Sequence, residues 1–132
     1  MIVMSHCYHN DILTKSMTKP EFNKCIVMLR SDDSMTYEEG YHWLQGHIKE
    51  HFDELIRLML AEDDPKMRSK FVELVGDSQD ITVIPYIEKE LQHHNREVRA
   101  WAYNSLMYFE EISAIAIAKI FKENNPEEDF LY

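Results

Sequence analysis

His6, Cys7 and His9 crowd into the stretch SHCYH at 5–9. Imidazole and thiolate are zinc ligands, but no fourth ligand stands at a recognisable spacing. His47 and His51 are four apart, on one face of any helix that contains them. That spacing can chelate zinc, but Ile48 stands where the metalloprotease motif needs a glutamate. The pair therefore reads as surface histidines. His93-His94 falls at an expected helix end, where an imidazolium would suit the negative pole of the dipole. Asp53-Glu54 and Glu110-Glu111 are adjacent, so on a helix their side chains diverge and spacing makes no shared-proton dyad. No serine sits in a G-x-S-x-G elbow, and no glycine-rich phosphate loop or close cysteine pair occurs. The expectation is a non-enzyme with no cofactor and no metal.

The charge points elsewhere. The chain carries a net charge of -10, and residues 1–33 are balanced. The excess lies in 34–132, with 10 basic against 20 acidic groups. Such a surface repels nucleic-acid phosphates and attracts basic proteins. Two cysteines, Cys7 and Cys25, make no disulfide framework. The N-terminal MIVMSHCYHNDIL does not read as a secretion signal. The most apolar run, 112–121, is too short for a membrane span and contains Lys119. These features lead to the expectation of a cytoplasmic protein that binds neither nucleic acid nor membrane.

Helical periodicity supplies the elements. With 132 residues, only 3 glycines and 4 prolines, the chain is expected to form one all-α domain. A short helix is expected near Ile2–Leu13. Thr18 and Glu21 form a capping box ahead of Phe22, Cys25, Ile26 and Leu29. Thr36 with Glu39 is read as a second box, with Gly46 as a left-handed stop. Ile48, Phe52, Leu55, Ile56 and Met59 make the clearest stripe. Asp64-Pro65 opens the helix of Met67, Phe71, Leu74 and Val75, stopped at Gly76. Thr82 opens that of Ile84, Ile87 and Leu91. Asn95 opens that of Val98, Ala102, Leu106 and Phe109, with 112–121 as its partner. Asn125-Pro126-Glu127-Glu128 repeats the start signal.

Starts near 36, 65, 96 and 126 recur about every 30 residues, the mark of stacked helix hairpins. DDPKMRSKFVELVGD, ITVIPYIEKEL and HHNREVRAWAYNSL resemble HEAT repeats of the phycobilin-lyase type, best over 63–109 and less well over 33–62. The resemblance implies a short α-α superhelix of about seven helices, with first helices convex and second helices concave. Its organisation would be an N-terminal cap at 1–33, three hairpins over 34–125 and a tail at 126–132. Arg68 and Arg99 match the family arginine that tethers repeats through an acidic or carbonyl partner, a part that Asp77 or Asp80 could fill.

On that frame, Glu50, Asp53, Glu54 and Arg57 lie opposite the core stripe of one second helix. Tyr86, Lys89, Glu90 and His93 do so on the next. Glu50, Asp53, Glu54, Arg57, Tyr86 and Glu90 are the expected partner-binding residues, joined by Trp101. Trp101 replaces Lys70 of the preceding copy and is read as packing against the C-terminal hairpin or anchoring a partner. Helix 112–121, apolar all round, requires cover on every side, expected from Phe130, Leu131 and Tyr132, or else from a second copy or another protein. Size, acidity and architecture also bear a loose likeness to HEAT-type bacterial immunity proteins. They suggest a protein that neutralises a basic toxin domain, such as a nuclease, through its acidic surface. A scaffold subunit and a chromophore-lyase-like protein remain as alternatives.

Overall fold

The computed structural model describes residues 15–130. The expected helix at Ile2–Leu13, the cluster with His6, Cys7 and His9, and Leu131 and Tyr132 of the tail lie outside the described residues.

Local capping chemistry sets the helix starts. Thr18 Oγ1 accepts from the Glu21 amide at 3.2 Å, and Glu21 accepts from the Thr18 amide at 2.8 Å. This reciprocal box opens α1, Lys19–Leu29, which buries Phe22, Cys25, Ile26 and Leu29. The start of α2, Ser34–Gln45, differs from the expected one. Asp33 is its cap and accepts from the Thr36 amide and hydroxyl, at 2.9 and 2.8 Å. A carboxylate three residues earlier thus takes the donor that a Thr36 box would have left outside the helix. Gly46 ends α2 at φ -77°, in the right-handed region, so it is not a left-handed stop. A 3-10 turn, Ile48–His51, precedes α3, Phe52–Ala61.

Asp64 and Asn95 cap α4, Pro65–Asp77, and α6, Arg96–Tyr108, as their sequences require. Between them, Asp80 rather than Thr82 is the cap. Its Oδ1 accepts from Thr82 N at 2.9 Å and opens a 3-10 turn, Ile81–Val83, that leads into α5, Ile84–Glu90. The last helix is α7, Ile112–Asn124. No helix starts at 126 among the described residues. Asn125 instead closes α7, its side-chain amide donating to Phe121 O at 2.9 Å. The fold is all-α.

The chain divides into two compact units, 1–51 and 52–132. The two helices expected to form the first hairpin therefore fall in different units. In the first unit α2 pairs with α1. A Cβ on Gly40 would lie 2.6 Å from Met28 Cβ, so only glycine admits this approach. Cys25 is fully buried there, and burial pushes its thiol pKa up to about 11, helped by the charge of Glu21.

In the second unit α4 packs chiefly on α6, and each also packs on the helix that follows it. Gly76 lies inside α4 rather than stopping it. A Cβ there would sit 2.9 Å from Ser105 Cβ, which marks a close approach of α4 to α6. Beyond α4, Gln79 holds a left-handed φ of 54°. Its side-chain amide donates to Tyr108 O at 3.4 Å and accepts from Glu110 N at 3.0 Å. One side chain thereby ties the end of α4 to the end of α6. No helix among the described residues is long and apolar enough to cross a membrane.

Candidate protein-interaction surface

Two arginines organise the second unit in the same way. Arg68, in the first turn of α4, donates through Nε and Nη2 to the two carboxylate oxygens of Glu90, at 2.7 and 2.8 Å. Its Nη1 donates to Leu60 O in the last turn of α3 and to Glu62 O in the link that follows, at 3.2 and 3.3 Å. Arg99, in the first turn of α6, donates to Glu128 at 2.5 and 3.2 Å. Its Nη1 donates to His93 O and His94 O, both at 3.0 Å. Each guanidinium thus clamps the loop before its helix and one bidentate carboxylate, which suits its planar fork. The pairing raises the pKa of both arginines and holds Glu128 below the usual carboxylate range.

The carboxylates in the forks of Arg68 and Arg99 are Glu90 and Glu128, rather than Asp77 or Asp80. Asp77 lies nine residues along α4 from Arg68, about 13 Å at the helical rise, and Asp80 caps Thr82. The pairing also removes Glu90 from the expected partner-binding set. It is 3% exposed, and both its oxygens are engaged by Arg68.

His93 lies among these charges. Its Nδ1 accepts from the Asn95 amide at 3.0 Å, which requires an unprotonated Nδ1, and its ring stacks on His94. Burial lowers its pKa, and the neighbouring Arg68, His94 and Arg99 lower it further against the opposing charge of Glu90. His93 is therefore neutral at neutral pH, not an imidazolium placed on the dipole of α5.

The other expected residues scatter. Glu50 lies in the 3-10 turn, where its Oε1 accepts from Met17 N at 2.7 Å and its Oε2 pairs with His47 Nδ1. Those two bonds, His47 first, lower its pKa. His51 donates from Nε2 to Met17 O and stacks on Phe22. Both histidines of the i, i+4 pair thus have structural partners. On α3, Asp53 is exposed, while Glu54 is half-buried and paired with Arg57. Tyr86 on α5 is 38% exposed. Trp101 is half-buried and lines a cleft with Glu73 and Asp77 of α4 and Tyr108 of α6.

The described residues do not cover helix α7 all round. Ala114, Ala118 and Phe121 are buried, and α7 packs on α6. Among the described residues, Ile112 and Ile120 stay 79% and 56% exposed. Phe130 provides part of the expected lid, 4% exposed and stacked on Phe121 with Tyr103 alongside. Between α5 and α7 runs an open groove of about 660 Å³ with an apolar lining from Pro85, Leu91, Ile117, Ile120 and Phe121, edged by polar residues such as Glu88 and Lys89.

Comparison with protein families, with curated proteins and with solved structures finds no match to this chain. The groove and the two carboxylate partners were missed from sequence. The unrelieved apolarity of 112–121 signals the groove. Glu90 has a weaker signal, as the last residue of a second helix whose first helix carries Arg68.

Proposed function

We propose that the chain is a non-catalytic protein-binding module built of HEAT-like hairpins, and that it neutralises a basic toxin domain through its acidic surface. The observation that carries this reading is the excess of carboxylates over 34–132, with Asp53 exposed on α3 and Glu88 and the Tyr86 ring exposed on α5. Exposed carboxylates steer a basic partner during encounter, and an exposed tyrosine supplies contact area once it docks. The paired arginine clamps support the repeat reading, since Arg68 and Arg99, 31 positions apart, each bind carbonyls before their own helix and one bidentate carboxylate.

The test is co-expression with the basic product of a neighbouring reading frame. Rescue of growth together with a purified complex of the two proteins supports the proposal. A product that remains toxic and forms no complex overturns it. The exposed Ile112 and Ile120 favour a second reading, a scaffold subunit held through α7. That reading requires a stable complex which survives high salt.

A further inference from the structure

The second arginine clamp is completed differently from the first. Arg68 finds its carboxylate at Glu90, the last residue of α5. The residue 31 positions after Glu90, in register with the Arg68–Arg99 offset, is Phe121. The α6–α7 hairpin therefore lacks an in-register carboxylate, and the guanidinium of Arg99 is satisfied from outside the hairpin, by Glu128 of the tail.

The tail is held at two alternate positions. Glu128 enters the fork of Arg99. Two residues on, Phe130 lies against Phe121 and Tyr103, with the Arg96 guanidinium 5.4 Å above its ring. Between them Asp129 is exposed, as are Pro126 and Glu127 on the approach. Lys122 Nζ donates to the Glu128 carbonyl, and Glu128 N donates to Asn125 O at 3.0 Å. Glu128 and Phe130, two apart, both meet the seat, so its basic fork and aromatic shelf read a glutamate-x-aromatic pattern. In a chain of net charge -10, Arg96, Arg99 and Lys122 form a local basic spot suited to that ligand.

We propose that the seat formed by Arg96, Arg99, Tyr103 and Phe121 is a recognition site for a glutamate-x-aromatic segment of another polypeptide, which the chain's own Glu128–Phe130 occupies in its absence. The site is separate from the acidic surface and of opposite polarity, so it stands or falls independently of the toxin-binding reading. A tethered tail competes at an effective concentration of roughly millimolar. Exchange therefore depends on loosening the tail or on a ligand with further contacts.

The test uses the full-length chain and a fluorescent peptide of sequence NPEEDFLY, followed by anisotropy. The Glu128→Gln/Phe130→Ala chain should bind it at least about tenfold more tightly than the wild type, whose own tail competes. Glu128→Gln alone, which keeps Phe130 in place, should be intermediate and guards against a double variant that fails to fold. A peptide with Gln for the second Glu and Ala for Phe should not bind. Arg99→Gln added to the Glu128→Gln chain should abolish binding. Equal affinity of wild type and tail variants, no binding to any of them, or indifference to the peptide's own Glu and Phe overturns the proposal.

Discussion

The approach of α4 to α6 at Gly76 gives a quantitative prediction. In Gly76→Ala the new Cβ would lie 2.9 Å from Ser105 Cβ and 3.0 Å from its Oγ. Carbon–carbon contact is optimal near 3.5–4.0 Å, so the overlap is about 0.6 Å or more. Overpacking of that kind costs roughly 1–3 kcal/mol. Alanine returns some of this through helix propensity, at most about 1 kcal/mol and less in a last turn, where Gly76 sits beside the final residue Asp77. The expected net loss is about 1–2 kcal/mol. Ser105→Gly alone loses roughly 0.5 kcal/mol of propensity but removes both clashing atoms. The double variant should therefore be more stable than the sum of the singles by about 1–2 kcal/mol. Urea unfolding of all four chains followed by circular dichroism measures the cycle. A Gly76→Ala chain as stable as wild type, or strictly additive effects, would refute the close approach of the two helices.

Two further predictions concern charge. Glu90→Gln should destabilise the fold by about 3 kcal/mol, because it leaves a largely buried guanidinium without its anion, while Glu128→Gln at the more exposed clamp should cost less; chemical denaturation ranks them. His93 has a folded pKa below its ordinary 6.5, so the unfolded chain binds the extra proton first as pH falls. Its contribution to stability is intact above pH 6.5 and is lost as pH falls through the folded value. His93→Gln should flatten the fall in melting temperature over that window, and an unchanged pH profile would contradict the assignment.

Much of the fold was legible because helix starts are local. The Thr18 box, Asp64-Pro65 and Asn95 each satisfy orphan amides within a few residues, and the structure keeps all three. Thr36 and Thr82 failed as caps because a carboxylate two or three residues earlier, Asp33 or Asp80, competed for the same donors. The start signal at Asn125-Pro126 failed for a long-range reason, since Glu128 is held by Arg99, 29 residues away. Glu90 illustrates the same limit. Helical spacing placed it opposite the apolar stripe, and a periodic pattern cannot distinguish a solvated carboxylate from one buried against an arginine on another helix. Gly40 and Gly76 read as ordinary or terminating glycines, yet they mark close approaches between helices.

The central claim is that acidic groups on this chain capture a basic protein. The most direct measurement is the association rate with that partner by stopped flow, from about 10 mM to 500 mM salt. The Debye length shrinks from about 30 Å at 10 mM to below about 8 Å over that range. Steered association should slow by at least about tenfold. Asp53→Lys/Glu54→Lys should lower the low-salt rate and flatten its salt dependence. An association rate indifferent to salt, or unchanged by those reversals, would contradict the account.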